Sequence, residues 1–298
     1  MEIDPLGTKA NVVTPLFGRS SIEDEPEIRS QRAAVSIKRQ SAPIASSDLD
    51  LSAKPKVLFL NGLGGTGKTH LARWLGWRMA ERGQSALIAA LDPQNRSLAD
   101  WFAGVEQPET SDPNQTQRFL RDVLGYLMGR SQSGLLDFGG GDVSLAKLVD
   151  LMPSMADDMV AAGVHPVAVY CIGTRIDDLT PLQAMEEIGF RPQATMLVLN
   201  EGRVDSTLTR EEAFARILRH SDFRAAIARG AVPVWMPRLE PEVSAMIEAR
   251  RLTFGMARDG LVPPGAKFAP IGGFERSMVR RWLERMEQEF AAVSSWLL

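Results

Sequence analysis

The run Gly-Leu-Gly-Gly-Thr-Gly-Lys-Thr at positions 62–69 constrains the fold more than any other part of the chain. Apolar residues 57–60 directly precede it, and a helical pattern begins at residue 69. The run fits G-x-x-x-x-G-K-[ST], in which a glycine-rich loop joins a buried strand to a helix. Glycines allow backbone N–H groups to turn inward, and a helix N-terminus adds a positive partial charge. The sequence therefore predicts a phosphate-binding loop rather than a chance turn containing Lys-Thr.

Each position of this loop has an expected role in a nucleotide site of the P-loop type. Lys68 would meet the β and γ phosphates, and the Thr69 hydroxyl would hold Mg²⁺. The remaining positions would surround the phosphates through their backbone. The candidate nucleotide-contacting residues here are Gly62, Gly64, Gly65, Thr66, Gly67, Lys68, Thr69 and His70.

Composition restricts the classes of protein to which the chain can belong. A net charge of −3 gives no global attraction to nucleic acid, so any such binding requires a local patch. The single cysteine, Cys171, excludes an intrachain disulfide and suits a reducing cytoplasm, and its apolar neighbours predict a core position. No apolar run is long enough for a membrane span, and the N-terminus lacks the regions of a signal peptide. We therefore expect a cytoplasmic location.

The chain divides into an arm and one domain. Residues 1–54 mix charges of both signs with Pro and Ser and show no apolar period, which predicts a disordered or loosely docked arm. Residues 55–298 alternate strand-like and helical segments, and this favours an α/β fold with a mostly parallel, doubly wound sheet and helices on both faces. The predicted strands are 56–60, 85–91, 134–138, 166–172, 194–199 and 232–236. The predicted helices are 69–82, 114–129, 143–162, 180–188, 210–228 and a final one at 274–297.

A second motif, Asp92-Pro93-Gln94, follows the second predicted strand. With the glycine-rich loop before it, this motif resembles the ParA/MinD family of P-loop ATPases, within the CobQ/CobB/MinD/ParA group of nucleotide-binding proteins. The resemblance covers about residues 55–250. In that family the acidic residue lies in switch I and helps to position the attacking water, which implies this role for Asp92. The alternative is an Asp-Pro turn that only closes a strand.

Later strand ends supply further candidate site residues. The third strand ends in Asp137 before three glycines, as a Walker B element requires: a carboxylate for Mg²⁺ followed by a mobile loop. The resemblance implies that Asn200 contacts adenine and that the loop at Pro237 lies against the base. A strand-end Asn is also a common turn former, so each of these two matches has a structural alternative.

The chain departs from the family at one position of the loop. Members carry a signature lysine in a Lys-Gly-Gly-x-Gly-Lys pattern, and Leu63 stands there instead. In the family this lysine reaches across an ATP-sandwiched dimer to the partner's phosphates. Three consequences stay open: another cation such as Arg96, Arg130 or Arg203 substitutes, hydrolysis is slow, or the protein binds nucleotide only as a switch. We interpret the chain as a divergent member.

Two C-terminal features bear on partners. Arginines recur in the last third of the chain, where relatives bind DNA through phosphates, although interleaved acids favour an ion-paired surface. The last helix carries an apolar stripe including Trp282, Met286 and Phe290; a stripe packed on the domain is favoured over membrane binding through residues 274–298. The arginines concerned are Arg210, Arg216, Arg219, Arg224, Arg229, Arg238, Arg250, Arg251 and Arg258.

Taken together, these patterns predict an Mg²⁺- and ATP-dependent ATPase of the ParA/MinD type. It would act as a nucleotide switch in plasmid or DNA partition or in conjugative transfer, with Lys68, Asp92 and Asp137 as catalytic residues. The resemblance implies an ATP-dependent homodimer, non-specific DNA and a partner protein that stimulates hydrolysis. Two rivals remain: a metabolic kinase or ligase on the same scaffold, and a non-hydrolysing ATP-dependent adaptor of membrane-associated machinery.

Overall fold

The computed structural model describes residues 49–92, 98–205 and 207–298. In these ranges one sheet of six strands runs in the order β2-β3-β1-β4-β5-β6, and every neighbouring pair is parallel. The strands are β1 (Lys56–Asn61), β2 (Leu87–Ala90), β3 (Gly134–Asp137), β4 (His165–Ile172), β5 (Ala194–Asn200) and β6 (Val232–Met236).

Helices connect the strands and extend the chain after the last one. The α-helices of the described ranges are α1 (Lys68–Glu81), α2 (Pro113–Arg130), α3 (Ser144–Leu151), α4 (Met155–Ala161), α5 (Thr180–Glu187), α6 (Arg210–Ala213), α7 (Ala215–Arg219), α8 (Ser221–Ala228), α9 (Pro241–Ala249), α10 (Phe254–Asp259) and α11 (Gly273–Glu289). Short 3₁₀ helices cover Ile176–Leu179, Glu201–Arg203 and Ala291–Trp296.

The sheet separates two apolar cores, because alternate residues of each strand point to opposite faces. On one face Leu58 and Leu60 of β1 pack with α1, α9, α10 and α11. On the other face Val57 and Phe59 pack with the helices that connect β2 to β6. Cys171 is fully buried in β4, as predicted. The predicted α/β fold, with a parallel, doubly wound sheet and helices on both faces, is confirmed.

The topology brings the predicted motifs to one edge of the sheet. β1 lies between β3 and β4, and Leu60 pairs with both Asp137 and Val169. Asp137 also pairs with Ala90, two residues before Asp92. Ligands of open α/β sheets bind beyond the carboxyl ends of the strands, where connections diverge to opposite sides. The carboxyl ends of β1, β2 and β3 therefore frame the candidate site.

Two predicted helices are interrupted in the structure. The helix expected at 143–162 is two helices, α3 and α4, because Pro153 lacks an N–H donor and disfavours helical geometry in Met152 before it. The helix expected at 210–228 is three short helices, with breaks at Phe214 and His220. His220 has an extended backbone, and its Nδ1 accepts a bond from the N–H of Asp222 at the start of α8.

The C-terminal segment belongs to the core of the domain. α11 buries Val279, Trp282, Leu283 and Met286, and a 3₁₀ helix rather than a continuing α-helix follows it. This packing agrees with the prediction favoured for the apolar stripe of the last helix. Leu51 is also fully buried, so the chain is docked on the domain from the first described residues, while residues 1–48 of the predicted arm lie outside the described ranges. No helix in the described ranges is long and apolar enough to cross a bilayer.

Candidate functional site

The loop between β1 and α1 has the backbone that its glycines predict. Gly62, Gly65 and Gly67 all have positive φ, of 151°, 78° and 103°. At Gly67 a Cβ atom would also collide with Nδ2 of Asn200 and lie 2.8 Å from Met236. Positive φ is strained for residues with a Cβ, so only glycine fits here. The loop is therefore held in a curved shape by its own sequence and by the ends of β5 and β6.

Lys68 begins α1 and closes this loop. Its Nζ donates to the carbonyl oxygens of Gly62, at 2.7 Å, and Leu63, at 3.2 Å. Gly67 caps the helix with no side-chain bond, and the first turn contains no acidic residue. The N–H groups of a helix start have no intrahelical partner and attract anions. The loop, the ammonium group and the helix start are together suited to binding phosphate.

Asp137 lies at the end of β3 and supplies a buried carboxylate beside the loop. Its Oδ1 is buried and has no hydrogen-bond partner among the described residues. Burial raises the pKa of this carboxyl to about 7, while Lys68 acts to lower it and Asp92 to raise it. An unpartnered buried carboxylate is costly unless it holds a cation. This arrangement fits a metal-binding role.

Mg²⁺ suits the donors that line this cleft. Lys68, Thr69, Asp92 and Asp137 all line one cleft of about 280 Å³. Mg²⁺ prefers oxygen ligands and is commonly held by one or two protein groups together with phosphates. Thr69 and Asp137, the ligands expected from the sequence, both line the cleft, and their binding of the ion stays a prediction. When bound, it would neutralise negative charge on phosphate oxygens.

The glycine run after β3 lies between the other two motifs. A Cβ atom on Gly139 would lie 2.8 Å from Oδ2 of Asp92, and one on Gly140 would lie 2.7 Å from the backbone N of Gly64. The run therefore passes directly between Asp92 and the phosphate-binding loop. The structure brings the three predicted motifs into contact, although Pro93, Gln94 and Arg96 of the second motif lie outside the described ranges.

Gly140 offers a test of this contact. We expect Gly140→Ala to weaken nucleotide binding about tenfold, because overpacking against the Gly64 backbone forces the two loops apart. Gly141→Ala is the matched control, since nothing lies within 4 Å of a Cβ there. Equilibrium titration with a fluorescent nucleotide measures both variants. Equal affinity in the two variants would contradict the close packing of the loops.

The residues predicted to contact the base already bond to protein groups. Nδ2 of Asn200 donates to the carbonyl of Thr66 at 2.8 Å, and its Oδ1 accepts from the N–H of Gly202 at 2.9 Å. The Pro237 carbonyl accepts from Nε1 of Trp282 at 2.8 Å. Asn200 thus fixes the loop to β5, and its contact with adenine stays a prediction.

His70 also lines the cleft, and aromatic rings surround it. Its ring meets Phe254 and Trp282 edge to face, with centroids 5.3 and 5.1 Å away. Burial, with the charge of Arg73, lowers the pKa of His70 to about 3. The ring is therefore neutral near pH 7 and offers packing rather than charge to a nucleotide.

Two acidic residues near the site were not predicted from the sequence. Glu248 lines the cleft from α9, a helix that the predicted elements omit although Pro241 at its first position is a helix-start signal. Asp142 follows the glycine run and accepts bonds from the N–H and the hydroxyl of Ser144. Burial raises the pKa of the Asp142 carboxyl. The Asp-x-Ser spacing at positions 142–144 is a turn signal that could have indicated this bond.

The arginines considered as substitutes for the missing lysine lie in different places. Arg130 ends α2, before β3 begins, and so lies at the amino edge of the sheet, away from the site. Arg203 follows β5 and lies next to the loop: a Cβ on Gly65 would be 3.7 Å from its Nη2. Of the described candidates, Arg203 alone is placed to act at the site.

The C-terminal arginines are paired in part. Arg210 bonds Glu201 and Glu289, Arg229 pairs with Glu186, and Arg258 pairs with Glu81 and Asp259. Binding of DNA by the remaining arginines stays a prediction. Those without an ion pair in the described ranges are Arg216, Arg219, Arg224, Arg238, Arg250 and Arg251.

Comparison with known proteins gives distant structural neighbours. No family model and no curated protein matches the chain. Chloroplast FtsY from Physcomitrella patens is 16% identical over 60% of this chain and 70% of its own, with a TM-score of 0.39. Signal recognition particle receptor FtsY from Elizabethkingia anophelis is 12% identical over 78% of this chain and 66% of its own, with a TM-score of 0.38. The same receptor in complex with GDP is also 12% identical, over 80% of this chain and 66% of its own, with a TM-score of 0.40.

Proposed function

We propose that the protein is an Mg²⁺-dependent nucleoside triphosphatase that acts as a nucleotide switch. The observation that carries this is the convergence of Lys68, Asp92 and Asp137 on one cleft beside a glycine loop of fixed curvature. The loop and Lys68 bind the phosphates, Thr69 and Asp137 hold Mg²⁺, and Asp92 orients the attacking water. Switching follows from the contact of the glycine run with Gly64, because a γ-phosphate there would reposition that run.

We further propose ATP as the nucleotide and DNA partition or conjugative transfer as the process. Support comes from the Asp-Pro-Gln motif that begins at Asp92 and its resemblance to ParA/MinD ATPases. On this proposal ATP favours a homodimer that binds DNA or a stimulating partner protein. Leu63, in place of the signature lysine, favours slow turnover.

The test is hydrolysis of ATP and GTP by purified protein, with and without duplex DNA, while light scattering follows its mass. ATP-dependent dimerisation with DNA-stimulated turnover would support the partition role. GTP preference would overturn ATP as the nucleotide and leave the triphosphatase in place. A monomer that binds ATP without hydrolysing it would favour the adaptor. Stimulation of ATP hydrolysis by a metabolite would favour a kinase or ligase.

The role of Asp92 has its own test. We expect Asp92→Ala to bind nucleotide within about threefold of the wild type but to hydrolyse it about 100-fold more slowly, because the attacking water loses its orienting carboxylate. Single-turnover assays separate the two effects. Asp122→Ala, on the exposed face of α2, is the control. Turnover at the wild-type rate in Asp92→Ala would remove Asp92 from the mechanism.

A further inference from the structure

Arg203 lies beside the phosphate-binding loop in a second cleft. This cleft is lined by the backbone of residues 64–66, by the connection after β4 and by the 3₁₀ helix Glu201–Arg203 after β5. The Arg203 guanidinium lies over Gly65, where a Cβ atom would be 3.7 Å from Nη2. Since Gly65 has no side chain, nothing at that position separates the guanidinium from the loop backbone.

Two carboxylates, Asp178 and Asp205, line the same cleft as Arg203, but neither forms an ion pair with it among the described residues. Arg203 is exposed and forms no ion pair within the described ranges. The adjacent acid, Glu201, bonds Arg210 and Arg285 instead. Arg175, which lines the same cleft, pairs with Asp177 at 3.2 Å. Arg203 is thus the cation of this cleft that is ready to meet an anionic ligand.

The neighbouring groups hold Arg203 close to the loop. It belongs to the turn that begins at Asn200, and Asn200 is tied to Thr66 on one side and Gly202 on the other. A Cβ on Gly173, at the end of β4, would lie 3.7 Å from Cγ of Arg203. The arginine therefore starts from a backbone that is bonded to the loop itself, which limits the entropy lost when its side chain is ordered.

We infer that Arg203 contacts the phosphate chain of the nucleotide bound by its own subunit, and that it supplies the positive charge missing at Leu63. This inference rests on the proposed function. A planar guanidinium can donate two parallel bonds to phosphate oxygens, and it remains charged at any ordinary pH. Contact with developing charge on a transferred phosphoryl group raises hydrolysis rates in other P-loop enzymes.

The test compares the affinities of ATP, ADP and AMP, and the rate of ATP hydrolysis, in four proteins. These are the wild type, Arg203→Ala, Arg203→Lys and Arg130→Ala. In Arg203→Ala we expect ATP affinity to fall about tenfold, AMP affinity to stay unchanged, and hydrolysis to fall about 100-fold. Arg203→Lys should recover part of the ATP affinity, because the charge remains without its two-pronged geometry. Arg130→Ala should behave like the wild type, because Arg130 is an exposed arginine at the opposite edge of the sheet.

The outcomes that overturn the inference are distinct. Unchanged ATP affinity and hydrolysis in Arg203→Ala would overturn this inference alone. An equal loss for ATP, ADP and AMP would also overturn it, since that places the arginine against the base or sugar. Recovery of hydrolysis on mixing Arg203→Ala with Lys68→Ala would show action across a dimer and overturn the same-subunit assignment. No nucleotide binding by the wild type would overturn the proposed function as well.

Discussion

Replacement of Lys68 with alanine is expected to lower nucleotide affinity by about 100-fold or more. The Lys68 ammonium is the positive group at the mouth of the loop, and it already bonds two loop carbonyls, of Gly62 and Leu63. With alanine, the phosphates lose charge-assisted bonds and the loop loses its internal closure. Both Lys68 bonds are only partly buried, so the two carbonyls left behind can bond water. The fold should therefore survive.

Calorimetric titration with Mg²⁺–ATP measures this effect, and thermal melting checks the fold. Lys147→Ala is the matched control, since Lys147 is an exposed lysine on α3. Wild-type affinity in Lys68→Ala would contradict the nucleotide assignment itself. A loss of both folding and binding would instead show that Lys68 is needed to form the loop, and Lys68→Met would then repeat the measurement with the aliphatic stem retained.

Replacement of Asp137 with asparagine is expected to stabilise the nucleotide-free protein at pH 8 by about 2 to 4 kcal/mol. The pKa of Asp137 is about 7 in the folded protein, raised by burial from an ordinary value near 4. Between those two pH values the folded state binds more protons than the unfolded state. The free energy of unfolding therefore falls as pH rises through this window. Asparagine removes the cost because it has no charge to bury.

Thermal melts at pH 5, 6, 7 and 8 measure this effect in the absence of nucleotide. The advantage of Asp137→Asn should be about a third of its full size at pH 5, which lies about one pH unit into this window, and should reach its full size near pH 8. Asp122→Asn, an exposed acid on α2, should show no such trend. The same substitution should abolish the additional stabilisation that Mg²⁺ gives with nucleotide. A wild type more stable than Asp137→Asn at pH 8 would show that Lys68 outweighs the burial of the charge.

Local patterns were sufficient to predict the elements that build the site. The strand, loop and helix around residues 62–69 are specified within about 25 consecutive residues, through apolar content, glycines and helical period. The position of Asp137 at a strand end was predictable because its short apolar run is the third strand in the series that begins with the glycine loop, whereas the run alone is weak evidence. The order of the strands in the sheet was not predictable, because it depends on which face of the sheet each crossover helix covers. The break at His220 depends on one side chain capping the next helix.

The features of the site that the sequence did not predict depend on contacts between distant segments. Asn200 was assigned to adenine from its place at a strand end, yet its bonds to Thr66 and Gly202 arise only when β5 lies beside β4 and near the loop. The predicted strands already place Arg203 after one strand and Arg130 before another. What the sequence does not show is that the Arg203 guanidinium lies next to Gly65.

The last helix has a consequence for how this chain can change over time. Trp282 of α11 bonds the carbonyl of Pro237 and touches His70, so a segment more than two hundred residues from the glycine loop forms part of the wall beside it. Recombination that exchanged the C-terminal segment would disturb this wall together with the core that α11 fills. We therefore expect these two segments to be inherited as a unit, because a substitution around Trp282 would disturb the packing of His70, which lines the cleft.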